Sequence, residues 1–229
     1  MRGFFNMDSP VMRFLSRLCD LIILNLLCIV CCIPIITAGA SITALFSVTL
    51  KMVKGEESYI AKGFFKGFKD NFKQATIIWL IVAAFGIFMY IDYRAAYILP
   101  GNMRSIFQVL IGAIMILYVM LFTYIFPYLA RFENSLKNIF KNSLLIAILN
   151  LPWTILMAVF PVAMVFITFL TSYTLVYGSM IWILFGFSLI AFLNSYIFRK
   201  VFAKYEPNEE AQDLQISEEL PQQPQENGK

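Results

Sequence analysis

Long uncharged apolar runs separated by short basic stretches set the pattern of this chain. Residues 18–50 carry one charge, Asp20, and the 57 residues from 142 to 198 carry none. A helix needs roughly 20 apolar residues at 1.5 Å each to cross about 30 Å of hydrocarbon, so the longer run holds two crossings and a turn. The shorter holds two limbs with a break at Pro34 and Gly39, because Pro removes a backbone donor and Gly tolerates a turn. Its second limb, residues 40–53, is roughly 21 Å long and short for a full crossing. Lys51 and Lys54 can snorkel there, or the limb can re-enter where protein buries it. Ala38, Gly39, Ala40, Ser41 and Ala44 are small enough to let the two limbs pack closely. Further spans are expected near residues 75–93, 106–128, 144–166 and 176–198.

The predicted class is all-α: a polytopic membrane helix bundle of about six spans in three hairpins, each preceded by a cytoplasmic interfacial elbow helix. Residues 1–205 make that transmembrane domain. Residues 206–229 hold seven acids, three prolines and many Gln; such a segment buries little apolar area and is expected to be a disordered cytoplasmic tail.

The clearest elbow is residues 59–74. Phe65, Phe68 and Phe72 recur at helical spacing with Lys62, Lys66, Lys69 and Lys73 between them. That pattern predicts an interfacial helix with its apolar face down and its lysines on lipid headgroups. Gly63 and Gly67 weaken it by roughly 1 kcal/mol each relative to Ala, so it forms only on lipid or against neighbouring spans. Residues 64–73 align with 132–141 at a constant offset, matching Phe64 to Phe132, Lys69 to Lys137, Phe72 to Phe140 and Lys73 to Lys141. Phe4, Phe5, Met12, Arg13 and Phe14 read as a third, more diverged copy.

Charge then orients the chain. All Lys and Arg residues except Arg94 and Arg104 fall in four stretches beside the apolar runs. Basic residues in short loops mark the cytoplasmic side, so a multi-pass protein of the cell membrane with both termini cytoplasmic is expected. The chain is 60% hydrophobic and 14% charged, against about half and a quarter in soluble domains. The net charge of +4 does not point to nucleic acid, because the basic residues flank spans and suit an anionic leaflet instead.

Candidate chemistry is sparse. The chain has no His, which removes the commonest general base and transition-metal ligand. No phosphate-cradling loop, nucleophile elbow or carboxylate pair is present. Neither a cofactor nor a metal is expected, nor is enzyme activity. Cys28, Cys31 and Cys32 lie among Leu, Ile and Val and read as packing residues. Ala38-Gly39-Ala40 resembles a signal-peptide cleavage site, yet apolar sequence resumes after it, so the segment is read as retained.

Polar groups inside a bilayer are functional candidates by default. Asp20 has Arg17 three residues earlier as a local partner. Asn25 reads as interhelical glue, and Gln108 is a further polar residue within a span. Asn150 with Pro152, and Asn194, are candidates for a ligand or transport path, since Pro152 would free a carbonyl in mid-span and broken helices line substrate sites. Asp92 and Arg94, at the outer end of a span, could gate a path or bind a sugar or anion.

Cys32-Ile33-Pro34-Ile35-Ile36-Thr37-Ala38-Gly39-Ala40, Ala44-Leu45, Lys54-Gly55-Glu56-Glu57, the elbow from Phe64 to Phe72 and Phe126-Pro127-Tyr128-Leu129-Ala130-Arg131-Phe132 together resemble the YesL-like family of small bacterial membrane proteins, over roughly residues 1–205. The family is a domain of unknown function. The resemblance implies a Gram-positive type of host and a setting of carbohydrate uptake transporters and glycan-degrading enzymes, and it supplies no catalytic residues. The expected function is a non-enzymatic accessory or regulatory partner of a carbohydrate uptake or utilisation system, with transporter components as partners. The alternative is a small transporter or channel for a sugar-like solute.

Overall fold

The structure, a computed structural model, describes residues 10–56 and 59–205. The acidic tail and Phe4 and Phe5 of the third elbow lie outside them. The chain forms α1 (Pro10–Cys32), a 3-10 turn (Ile35–Thr37), α2 (Ala38–Lys54), α3 (Ile60–Ala95), a second 3-10 turn (Ala96–Ile98), α4 (Gly101–Arg131), α5 (Leu136–Leu149), α6 (Leu151–Thr168), α7 (Ser172–Ile181) and α8 (Phe187–Phe202). A π turn, Trp182–Gly186, joins α7 to α8 in one rod. Among the described residues there is no strand.

Among the described residues six stretches are long and apolar enough to cross a membrane: Val11–Cys32, Ile35–Lys54, Ile60–Ile98, Gly101–Arg131, Leu151–Thr168 and Ser172–Phe202. This is the all-α, multi-pass architecture expected from the apolar runs. Helix ends follow local chemistry. Gly55 takes a left-handed conformation (φ 76) and closes α2, a geometry that costs Gly little. Pro34 and Pro100 sit in extended backbone just before helical turns, where a missing N–H leaves nothing unsatisfied.

α2 is the hub. Eleven of its seventeen residues are buried, and it packs chiefly against α3 and α8, with α1 and α4 around it. Gly39 does not mark the break between limbs. It lies inside α2, and a Cβ added there would sit 2.5 Å from Trp79 Cβ and 2.6 Å from Ala75 O. Only Gly lets the α2 and α3 backbones approach this closely. A Cβ on Gly67 would likewise strike Ser47, so its missing side chain serves packing as well as loosening the helix. The small-residue stripe therefore serves two neighbours. Ser41 Oγ donates to Cys28 O on α1 at 2.9 Å, while Gly39 and Ala44 meet α3.

Two further features differ from the expectation. The segment 59–74 is helical but not a separate element. It runs on into its span as α3, because nothing between Gln74 and Ala75 interrupts the backbone ladder. The second copy behaves otherwise: Ser135 is extended, α5 starts at Leu136, and the span expected at 144–166 is divided at Asn150 (φ −120, ψ 41).

On the far side of α2 an aromatic cluster ties α2, α4 and α8 together. The Phe198 ring meets Tyr124 edge-on at 5.2 Å and Phe46 at 5.7 Å, while Phe132 stacks on Tyr128 at 4.8 Å. Around this core α6 buries only Thr154, Met157 and Thr168, and α7 buries nothing. Large apolar side chains that face outward from α6 suit lipid rather than water.

Candidate functional site

Three polar assemblies stand out: the joint between α5 and α6, the π turn between α7 and α8, and the lysine face of α3.

At the joint, Asn150 is buried at 5% exposure. Its N–H donates to Ile146 O at 3.1 Å, and its amide Nδ2 donates to the same carbonyl at 3.0 Å and to Tyr205 Oη at 3.3 Å. Thr154 Oγ1 lies 2.8 Å from Ala147 O, 3.0 Å from Asn150 O and 3.2 Å from Tyr124 Oη. Pro152 is therefore not a mid-span interruption. It falls in the first turn of α6, where Pro has no intrahelical bond to lose. Two carbonyls of the last turn of α5, Ile146 O and Ala147 O, are taken up by side chains, which suits a non-aqueous setting. Pro161 lies inside α6 without ending it.

At the π turn, Asn25 of α1 is fully buried. Its Nδ2 donates to Trp182 O at 3.0 Å and Ile183 O at 2.7 Å, and its Oδ1 accepts from Ser188 N at 3.0 Å. Ser188 Oγ returns a bond to Leu21 O at 2.8 Å. A π turn leaves carbonyls out of register with the helical ladder, and one amide from another helix satisfies two of them. The reading of Asn25 as interhelical glue thus acquires a definite object.

Asn194 is also buried, at 6% exposure, on α8. The structure does not bring it into the Asn150 network. Its neighbour Ser195 makes the helix contact instead, with Oγ 2.9 Å from Thr49 Oγ1 on α2. At the other end of α3, Arg94 is exposed, and among the described residues the ion pair is Lys54–Glu56 at 4.0 Å, not Asp92–Arg94. The cation held in place there is Arg104. Its Nη2 donates to Tyr97 O at 2.7 Å and its guanidinium lies 5.4 Å from the Tyr97 ring centre. Arg17 and Asp20 stay beyond ion-pair distance, but the Arg17 charge still acts on the Asp20 carboxylate as its local partner.

Lys62, Lys66, Lys69 and Lys73 are all exposed along one face of α3. The apolar face differs from the expectation. Phe64, fully buried, and Phe68 pack toward α2, whereas Phe65 and Phe72 are exposed. A lysine at the centre of a bilayer costs about 2.5–3.5 kcal/mol on insertion scales. Four in one stripe need a headgroup or aqueous layer beside them.

Sequence reasoning passed over Tyr124, Thr154, Ser188, Ser195 and Arg104. Only Thr154 carried a local signal, its i+4 spacing from Asn150. Tyr124, Ser188 and Ser195 depend on helices far apart in sequence, and Arg104 depends on how the α3–α4 turn brings Tyr97 to it. Cys28 is buried, accepting from Ser41, and the four cysteines are free thiols. Among the described residues no group of three or more His, Cys, Asp or Glu could hold a metal.

A model of the family described as "Protein of unknown function, DUF624" matches residues 21–93. That stretch covers α1 from Leu21, all of α2 and α3 up to Tyr93, and so includes Asn25, the small-residue stripe and the lysine face. "Uncharacterized protein YteU" of Bacillus subtilis (strain 168) is 30% identical over 128 residues, covering 54% of this chain and 56% of that protein. The chain thus spans about half the length of the curated relative it matches. No solved structure matches. Together the two matches bear out the resemblance read from the sequence: over residues 21–93 the chain is similar to the DUF624 family, whose function is unknown.

Proposed function

We propose that this chain is a non-catalytic accessory or regulatory partner of a carbohydrate uptake or utilisation system in the cell membrane. The observation that carries the reading is where the intramembrane polar groups go. Asn25, Asn150, Thr154, Ser188 and Ser195 bond to the protein's own backbone or side chains at helix joints, while among the described residues the hydroxyls of Thr76 and Ser143 are buried without a partner. Groups bound in this way hold helices together and are not left facing a shared path. The carbohydrate setting comes from the family resemblance alone. The lysine face of α3 meets anionic headgroups on the cytoplasmic side, each Lys near such a surface contributing about 1 kcal/mol, and both termini lie on that side.

Pull-down of the tagged chain from mild detergent tests the partnership. Transporter components or carbohydrate enzymes should co-purify, and their absence would count against it. Liposomes loaded with labelled oligosaccharide should show the flux of empty vesicles. A flux that Asn194→Leu abolishes would favour a transport path instead. Reporter fusions after Lys66 and near Asn102 should report opposite sides, with Lys66 cytoplasmic.

A further inference from the structure

We infer that the α1–α2 hairpin is re-entrant: it enters from the lysine-bearing side, its Ile33–Ile36 tip ends within the hydrocarbon, and the full crossings are α3, α4, α6 and the α7–α8 rod. The inference rests on the membrane reading above and refines its topology.

The register of α2 on α3 sets the depth. Gly39, near the start of α2, meets Ala75 and Trp79. Further along, Ala44 and Ser47 meet Gly67, and Val48 meets Gly63. All of α2 thus lies beside the lysine-bearing half of α3. Beyond Trp79, α3 continues for sixteen residues to Ala95, about 24 Å at helical rise, with α4 rather than α2 beside it. Tyr118 of α4 donates to Val82 O at 3.2 Å and its hydroxyl crowds Gly86. The tip of the α1–α2 hairpin therefore stops about 20 Å short of the far end of α3.

The charge-free lengths agree. On α1 it is Leu21–Cys32, about 18 Å, and on α2 Ala38–Leu50, about 20 Å, each short of a hydrocarbon core of about 30 Å. On α3 the charge-free stretch from Gln74 to Ile91 is about 27 Å and sufficient. A layer placed on α3 by that stretch barely reaches the hairpin tip. In that placement the tip stops well short of the far surface.

The tip is also built for lipid. Ile33, Ile35 and Ile36 are exposed at 73%, 76% and 59%. Irregular backbone inside a bilayer must satisfy its own polar groups, and this turn does so. Thr37 N donates to Pro34 O at 2.9 Å, Thr37 Oγ1 lies 2.7 Å from Cys31 O, and Ile33 N donates to Val30 O at 3.3 Å. The α3–α4 turn instead presents Arg94, Asn102 and Arg104, as a water-facing turn does.

Single cysteines test this in a full-length chain carrying Cys19→Ser, Cys28→Ala, Cys31→Ala and Cys32→Ala, using a membrane-impermeant maleimide on right-side-out and inside-out vesicles. Lys66→Cys should label from one side and Ile98→Cys from the other. Ile35→Cys should label from neither side and only after detergent is added. Labelling of Ile35→Cys from the Ile98 side means that α1 and α2 cross, and labelling from the Lys66 side means that the tip never enters hydrocarbon; either overturns the inference while leaving the membrane reading intact. Lys66→Cys and Ile98→Cys labelling from one side would overturn both. The unsubstituted chain gives a second reading, because Cys31 and Cys32 at the tip should acquire no label mass from either side.

Discussion

α2 and α6 are nearly equal in length, and each is apolar enough to pass as a span, yet they occupy opposite environments. α2 buries eleven of seventeen residues and α6 three of eighteen. The difference lies in side-chain size. α2 is written in Ala, Gly, Ser and Thr, and α6 in Leu, Ile, Val, Phe and Met. In water the large residues would go inside. In lipid they gain little from moving there, and helices associate instead through close backbone approach and hydrogen bonds. The smaller, more polar helix becomes the core and the greasier one becomes the rim.

Substitutions can break that comparison in graded steps. The largest effect is expected from Gly39→Leu, which forces a side chain against Trp79 Cβ and Ala75 O and should destabilise the chain by about 3 kcal/mol. The check is the unfolding midpoint in detergent. A midpoint equal to that of the native chain would mean that the α2–α3 contact is not close-packed. Asn25→Leu comes next, since it strands two carbonyls and one N–H at the π turn, at a cost of about 2 kcal/mol. Amide hydrogen exchange at Ser188 should accelerate along with the stability loss. Thr154→Val removes the hydroxyl from the α5–α6 joint and should cost about 1 kcal/mol, at the upper end for hydrogen bonds between membrane helices. Val159→Leu on the outer face of α6 should stay within about 0.5 kcal/mol. A large loss there would show that α6 is covered by protein.

Much of the architecture was legible in the apolar runs. They set the number of candidate spans, the two limbs around Pro34 and the helical lysine pattern. What escaped had physical reasons. A change from basic to apolar composition at Gln74 reads as an element boundary, but a helix ladder is indifferent to side-chain charge, so α3 runs through it. Pro152 resembles a mid-span break until Asn150, two residues earlier, turns out to end α5, which places the proline at a helix start. Phe64 and Phe65 are indistinguishable in sequence, and the partner helix α2 decides which is buried. Arg104 rather than Arg94 is anchored because the α3–α4 turn folds Tyr97 back toward it. Asn25 finds its acceptors more than 150 residues away, beyond the reach of any local pattern.

The central claim is that lipid, not water, solvates the outer faces while α2 forms the interior. The most direct measurement is photolabelling of the native chain in bilayers with a lipid-soluble carbene reagent, read by peptide mass. Label should concentrate on α6, on α7 and on α3 beyond Trp79, and should spare α2 between Gly39 and Leu50. Equal labelling of α2 and α6, or label largely confined to α2, would contradict the account.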